Sequence, residues 1–335
     1  MKTRIPRKST CLIILLIATI GVLIVTPLLG MKTIPLSALF GPEGGDSDIF
    51  WKIRLPRVIT SFIAGAGLAV SGMVFQAIFR NLLATPFTLG VASGASLGAA
   101  VYVRLGLAFS LPGLSGISVF AFAGAVLSIA IVYGLTRIRQ GLSTSTMLLA
   151  GVAISFFFSS LILFIQYMSN FIHSFRIVRW LMGTIKVVGF DSAVTMAPFV
   201  LTGGVIVFAL SHELNLLMMG EEISTSRGVN VNKTKAILFF AVSLMVGSIV
   251  AVCGPIGFVG MMAPHICRLI IGADHRKLAP ATILFGGIFL TVADTVARTL
   301  IAPAEMPVGV ITALIGGPFF IWLLMSRSSS IWDMR

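Results

Sequence analysis

Charged residues are scarce in this chain. Only 10% of its 335 residues are Asp, Glu, Lys or Arg, and 57% are hydrophobic, whereas about 25% of the residues of a soluble domain are charged. The scarcity excludes a soluble globular protein, and the short connections between apolar segments leave no room for a separate soluble domain. We predict an all-α integral membrane protein with one domain over residues 1–335.

Three chemical devices are also missing from the sequence. No G-x-x-x-x-G-K-[ST] phosphate loop occurs, so the chain is not expected to hydrolyse ATP by that device. Its three cysteines, Cys11, Cys253 and Cys267, stand in apolar segments without the spacing of a metal site, which favours buried thiols. No basic run is interleaved with aromatic residues, so we expect no nucleic-acid partner. From the sequence as a whole we also expect no catalytic site and no metal site.

Long apolar runs are what the sequence has in abundance. A helix needs about 20 apolar residues to cross about 30 Å of hydrocarbon. Ten runs approach that length, and the first of them lacks a small-residue cleavage pair, so it is predicted to be an uncleaved span. The runs are 11–29, 57–79, 87–103, 116–136, 144–167, 194–210, 235–253, 256–271, 279–300 and 308–325.

An even number of spans places both termini on one side. With the termini inside, fifteen Lys and Arg residues face the cytoplasm and nine face outward. This bias predicts cytoplasmic termini and assigns the net charge of +13 to membrane topology and contact with anionic lipid. We expect a multi-pass protein of the inner membrane.

One apolar run is broken. Prolines and glycines interrupt residues 254–276, between Gly254 and Arg276. In lipid every backbone N–H and C=O needs a partner, so a broken helix persists only where other protein or a water-filled cavity covers it. The break predicts a pathway wall or a moving part, and a kinked packing helix is the alternative.

Two arginines, Arg54 and Arg57, stand where the second apolar run begins. The topology places both outside, against the positive-inside bias and against the helix dipole. Such a pair indicates an anionic partner, and snorkelling to the lipid interface is the alternative.

The surrounding motifs resemble the FecCD family, the permease subunits of type II ATP-binding-cassette importers for iron chelates, haem and vitamin B12. The resemblance covers about residues 50–326, with the motifs in the family's order and spacing. They are Arg54-Leu-Pro-Arg57, Ala64–Gly72, Gln76, Arg80-Asn81, Pro86, Leu89–Gly94, Gly254–Gly260, Pro264-His265, Arg268, Asp274–Arg276, Ala293-Asp294, Ala297-Arg298, Glu305, Pro307–Gly309 and Gly316.

The resemblance implies a ten-span type II importer permease fold that works with partners. These are a second permease copy, two cytoplasmic ATPase subunits that bind ATP and Mg²⁺, and a periplasmic or lipid-anchored binding protein. In the family, arginines at the positions of Arg54, Arg57 and Arg298 pair with glutamates on the two lobes of that binding protein. A guanidinium group suits the task because it can hold a carboxylate with two hydrogen bonds.

The inner loop at about 211–235 carries signals for two short helices: acidic residues at a helix start, Gly228 as a stop and Asn232 as the next N-cap. An ordinary solvated loop is the alternative. The resemblance implies that Gly220, Glu221, Glu222 and Gly228 belong to the element that contacts the ATPase.

Leu142-Ser-Thr-Ser145 stands at the inner start of the fifth run. By itself, Ser143 is typical of a helix N-cap. A similar stretch lines the cytoplasmic gate in the vitamin B12 branch of the family, which implies that Thr144 and Ser145 lie at a constriction.

The resulting hypothesis is a permease that moves a metal chelate by alternating access. Among candidate substrates, a ferric siderophore is expected first, cobalamin and haem come next, and an oxyanion is ranked last. A secondary transporter is the alternative, but Asp294 is the one acid within a span, and an i,i+4 pair with Arg298 accounts for it. A homodimer is favoured over a pair of paralogous permeases.

Overall fold

The computed structural model describes residues 8–30, 32, 34–35, 45–111, 114–138 and 144–325, and these are mostly helical. The first half contains α1 (Lys8–Val25), α2 (Asp46–Asp48), α3 (Leu55–Phe79), α4 (Val91–Arg104), α5 (Gly116–Ile138), α6 (Thr144–Tyr167) and α7 (Phe171–Leu181). The second contains α8 (Asp191–Ala209), α9 (Ser211–Met219), α10 (Glu221–Ser226), α11 (Val231–Cys253), α12 (Val259–Ile271), α13 (His275–Thr299) and α14 (Val308–Met325).

Short elements connect some of these helices. A π-helical turn, Ile49–Arg54, makes α2 and α3 continuous, and a 3-10 turn, Pro86–Leu89, precedes α4. Strands β1 (Ser110–Leu111) and β2 (Leu114–Ser115) form a small antiparallel ribbon between α4 and α5.

The all-α membrane fold is confirmed, since each of the ten predicted runs contains an α-helix. Within the described residues, six helical segments are long and apolar enough to cross a membrane: Asp46–Phe79, Gly116–Arg137, Thr144–Tyr167, Asp191–Ala209, Val231–Cys253 and His275–Thr299. Shorter apolar helices lie at Ser9–Val25, Val259–Ile271 and Val308–Leu323. The predicted position of the termini concerns residues 1–7 and 326–335, which lie outside the described residues.

Helices α11 and α13 each begin four residues earlier than hydropathy predicted. Helix α11 starts at Val231 rather than 235, and α13 starts at His275 rather than 279. The first turns of these helices carry lysines and arginines, which end an apolar run but not a helix, because a helix continues to its cap. The side chain of Asn230 accepts the N–H of Lys233 at 3.1 Å, so the predicted N-cap at Asn232 is wrong.

Helix α3 forms the centre of the bundle and packs against α11, α12 and α13. Small residues make these contacts close: a side chain at Gly72 would collide with the backbone of Gly260, and one at Gly65 with that of Gly286. Gly65, Gly67, Gly94 and Gly98 also allow close packing, since a Cβ at each would meet a neighbouring helix.

The bundle has two functional ends. Helices α3 and α13 pack along each other and run in opposite directions, each over 25 residues or about 37 Å. We call the end with Arg57 and Arg298 the outer end, following the predicted topology. The opposite end, where Arg80 lies beside Gly220 between α9 and α10, is the inner end.

The broken segment between α11 and α12 is partly covered by protein. Gly254 and Phe258 both have positive φ, at 69° and 68°. The N–H of Thr184 donates to the carbonyl of Cys253 at 2.7 Å, and the end of α7 and the start of α14 pack closely against residues 254 and 255. Protein therefore covers the start of the break, while Gly257 and Phe258 are half-buried and border a cavity.

Candidate functional site

An ionic cluster occupies the outer end. The Nε of Arg57 donates to one carboxylate oxygen of Asp294 at 2.9 Å, and its Nη2 donates to the other at 3.0 Å. Its Nη1 donates to Glu305 at 3.0 Å. Because Arg57 lies in the first turn of α3 and Asp294 in the last turns of α13, this fork joins the two central helices.

The expected pair of Asp294 with Arg298 is present but secondary. Their closest atoms are 3.7 Å apart, further than Asp294 lies from Arg57. Arg298 instead donates through Nη2 to the carbonyl of Thr26 at 3.0 Å and to the hydroxyl of Thr295 at 3.2 Å. Sequence reasoning missed Arg57 as the main partner because the two residues stand 237 positions apart.

Arg54 is held by backbone rather than by carboxylates. It donates to the carbonyl oxygens of Pro27, Leu28 and Lys32, in the segment that follows α1. The three arginines of the predicted dock thus lie at one end of the bundle, but each is only 6–7% exposed. Their docking role stays a prediction, and burial means that a binding protein would have to displace contacts within the chain.

Among the described residues, positive charge exceeds negative charge in this cluster. Four cations, Lys32, Arg54, Arg57 and Arg298, lie near three carboxylates, Asp46, Asp294 and Glu305. The Nε of Arg298 has no hydrogen-bond partner among the described residues. The Asp294 side chain is 1% exposed, whereas that of Glu305 is 43% exposed. Glu305 is therefore the more exposed of the two carboxylates that Arg57 binds.

The predicted pair of short helices at the inner end is confirmed as α9 and α10. Gly220 joins them with φ at 126°, and Gly228 follows α10 with φ at 83°. The Glu221 carboxylate accepts from the buried Nζ of Lys235 at 2.7 Å, which fixes α10 to α11. Glu221 is thus engaged within the chain.

The exposed face at this junction is mixed in character. Glu222 is exposed beside Glu221. Two apolar side chains flank it, Met219 at 63% exposure and Ile223 at 43%. An exposed carboxylate between apolar side chains is a surface that another protein can cover. The sequence singled out the glutamates but gave no reason to choose Met219 and Ile223, since a hydrophobic residue in a short polar helix can face either way.

Asn215 is a site residue that sequence reasoning missed. Its amide N–H donates to Asp274 at 2.8 Å, and its amide oxygen accepts the backbone N–H of His275 at 2.9 Å. These bonds tie α9 to the N-terminus of α13. The amide of Asn215 is also the main cause that holds the pKa of Asp274 below its usual value, helped by the backbone N–H and charge of Arg276.

The predicted gate residues open α6. Thr144 is half-buried and Ser145 is exposed at its first turn, while residues 139–143, including Ser143, lie outside the described residues. Their role at a constriction between two copies stays a prediction. Elsewhere in the described chain, no three His, Cys, Asp or Glu side chains come together as metal ligands.

Comparison with known proteins places this architecture in a family. The model of the FecCD transport family matches residues 11–326. The hemin transport system permease protein HmuU of Yersinia pestis is 37% identical over 94% of each chain. The cobalamin import system permease protein BtuC of Halobacterium salinarum is 40% identical over 86% of this chain and 76% of its own length.

A solved structure agrees with these relatives. It is described as an inward-facing conformation of an ABC transporter assigned to the metal-chelate type, and it is 31% identical to this chain. It superposes with a TM-score of 0.84 over 96% of this chain and 100% of its own. The chain therefore belongs to the FecCD transport family and is a multi-pass ABC-transporter permease of the inner membrane.

Proposed function

We propose that this chain is the translocation subunit of an ATP-driven importer for a metal chelate, working as a homodimer by alternating access. The observation that carries the proposal is the pair α3 and α13, which connects the two ends. Arg57 and Asp294 join these helices at the outer end, and Asn215 ties α13 to the short helices at the inner end. Movement at one end is thereby transmitted to the other.

The inner end would receive the ATPase. Met219, Glu222 and Ile223 form the contact face, and Gly220 and Gly228 set the angles of the short helices. Glu221 supports that face through Lys235 rather than through the partner. ATP and Mg²⁺ would bind to the ATPase, in agreement with the absence of a phosphate loop from this sequence.

The outer end would receive the binding protein by exchange of partners. A carboxylate of that protein would displace Glu305 from Arg57, and Arg54 and Arg298 would add positive charge. Within the part of the cluster that the structure describes, the excess of one positive charge supports this role. Docking through exchange also accounts for arginines that are buried in the isolated chain.

The proposed substrate class of this chain is inferred from its relatives and not from a binding pocket in its structure. Relatives are named for hemin and cobalamin, and the solved relative is of the metal-chelate type. We propose a ferric siderophore first, with cobalamin and haem as the alternatives. Thr144 and Ser145 would line the inner gate where two α6 helices face each other across the dimer axis.

The test of this proposal is Gly228→Pro in the complex reconstituted with its ATPase and binding protein. Gly228 has φ at 83° and donates its N–H to Thr225 at 2.9 Å, and proline allows neither. Gly189→Pro is the matched control, because Gly189 has φ at 72° and donates to Lys52 at 2.7 Å at the outer end.

We expect Gly228→Pro to lower chelate uptake per ATP hydrolysed, while Gly189→Pro keeps the wild-type ratio. Membrane insertion and the amount of purified chain should be equal for both variants. An unchanged ratio in Gly228→Pro, or an equal loss in both variants, would show that α9 and α10 do not transmit the ATPase stroke.

A further inference from the structure

An apolar groove of about 520 Å³ lies between α3 and α8. Small residues border it: Ala66 on α3 and Gly204 on α8, and nothing lies within 4 Å of a Cβ placed at Gly204. Met245 and Ile283 also line the groove, and every residue that lines it is apolar. On the α8 side, Leu201, Val205 and Phe208 are 59–68% exposed, so the groove opens to the surroundings of the bundle.

The length of the groove along α8 is close to the thickness of one leaflet of the hydrocarbon core. Its lining on α8 runs from Ala197 to Ala209, which is about 18 Å along a helix axis. Half of a hydrocarbon core is about 15 Å. Because no polar group lines the groove, water gains no hydrogen bonds there, and an acyl chain is the occupant that the bilayer supplies.

Positive charge lies at the inner mouth of the groove. His212 stands three residues after Ala209, and Arg276 stands seven residues before Ile283, or about 10 Å along α13. An Nη of Arg276 lies 3.3 Å from the Nδ1 of His212, and both residues are exposed, as is Lys277.

The nearby carboxylates offset only part of this charge. Asp274 interacts with both Arg276 and Lys277, so these three residues keep one net positive charge, and Glu213 is half-buried with one carboxylate oxygen enclosed. Arg276 and Lys277 are both exposed and lie in the first turn of α13 at the inner end, where the phosphate of an inner-leaflet lipid would reach them. Each exposed cation near a membrane surface contributes about 1 kcal/mol of attraction to anionic lipid.

We propose that this groove is a binding site for an anionic phospholipid of the inner leaflet. One acyl chain lies between α3 and α8, and the phosphate is held by Arg276 and Lys277. The site is separate from transport of the chelate and does not depend on the proposed function.

The test uses the purified full chain in detergent micelles, with native mass spectrometry to count bound dioleoyl phosphatidylglycerol and dioleoyl phosphatidylcholine. Gly204→Leu fills the groove, since nothing lies within 4 Å of a Cβ at that position. Gly134→Leu is the matched control, because Gly134 is a helical glycine of α5 with the same open surroundings and lies outside the groove. Leucine favours a helix over glycine, so neither change should impair folding.

We expect Gly204→Leu to weaken binding of both lipids at least about tenfold, because several methylene groups lose their contacts at about 0.8 kcal/mol each. Gly134→Leu should bind as the wild type does. Arg276→Gln should weaken the binding of phosphatidylglycerol about fivefold and leave the binding of phosphatidylcholine unchanged, as expected for the loss of one surface cation.

Three results would overturn the proposal. Equal binding in Gly204→Leu and the wild type would show that no lipid occupies the groove. An equal loss in Gly134→Leu would show non-specific contact with apolar helix faces. A change of oligomeric mass in Gly204→Leu would identify the occupant as a second copy of the chain.

Discussion

Helices α3 and α8 have similar hydropathy but opposite environments. In the most apolar stretch of Asp46–Phe79, 83% of the residues are buried within the chain, whereas the share is 22% in Asp191–Ala209 and also in Thr144–Tyr167. Hydropathy reports that a segment can enter a membrane, but it does not report whether protein or lipid surrounds it. Small residues indicate that protein surrounds a segment, since they let the backbones of other helices approach closely.

The sharpest test of this contrast places the same side chain on both helices. In α3, a leucine at Gly72 collides with the backbone of Gly260, which cannot rotate away. In α8, a leucine at Gly204 meets open space. We expect Gly72→Leu to exceed the usual overpacking cost of about 1–3 kcal/mol and to yield no monodisperse folded chain.

Size-exclusion chromatography and thermal unfolding of the two variants measure this difference. Gly204→Leu should elute and unfold as the wild type does, or at a slightly higher temperature. A folded Gly72→Leu variant would mean that α3 and α12 are not packed as closely as the structure shows.

A second pair of variants tests the contrast within α6. Phe158 is 3% exposed and Phe156 is 71% exposed. Phe158→Ala should lower the free energy of unfolding by about 3–5 kcal/mol, as for other large core truncations. Phe156→Ala should change it by less than about 0.5 kcal/mol.

The oligomeric mass of the Phe156→Ala variant tests whether α6 faces a second copy of the chain. If α6 faces a second copy, as the proposed gate requires, Phe156→Ala should lower the dimer fraction at equal chain stability. A wild-type dimer fraction would place Phe156 against lipid and separate the gate residues from the dimer axis.

The outer cluster contains a buried and a half-exposed carboxylate bound to the same arginine. Asp294→Asn should destabilise the chain by about 3 kcal/mol, because it leaves a buried guanidinium poorly compensated. Glu305→Gln should cost less than about 1 kcal/mol, since the Glu305 side chain is 43% exposed. Chemical denaturation in mild detergent measures both values, and equal costs would mean that Glu305 carries as much of the network as Asp294.

The smallest expected effect concerns Asp274 at the inner end. The pKa of Asp274 is lower in the folded chain than its usual value. The ionised carboxylate therefore stabilises the fold fully when the pH is above the usual pKa, and this stabilisation is lost as the pH falls through the lowered pKa. Asp274→Asn keeps an N-cap but cannot titrate. The difference in unfolding temperature between wild type and Asp274→Asn should shrink between about pH 5 and pH 3. A difference that is constant over this range would exclude a titrating role.

Much of the fold could be predicted from the sequence. Each of the ten apolar runs contains an α-helix, and the inner loop does form two short helices. These features depend on local composition and spacing, which a single chain displays directly. Helix starts were less accurate at α11 and α13, because charged residues in the first turn hide a helix from a hydropathy argument.

The sites were harder to predict, because their contacts join distant parts of the chain. The sequence identified Arg57 and Asp294 as unusual, but it gave no indication that they bind each other across 237 positions. It also gave no reason to single out Asn215, since an asparagine in a polar loop is ordinary. Glu221 was predicted to contact an ATPase, and only the position of Lys235 shows that its carboxylate is engaged within the chain.

The most direct test of the proposed function is the energy source for chelate uptake. The chain is reconstituted in liposomes, with and without its ATPase and binding protein, and uptake of a labelled ferric siderophore, cobalamin or haem is followed. The account predicts uptake of one of these chelates only when ATP and the ATPase are present, and none when a proton or sodium gradient is the sole driving force. Gradient-driven uptake by the chain alone would contradict it and identify a secondary transporter.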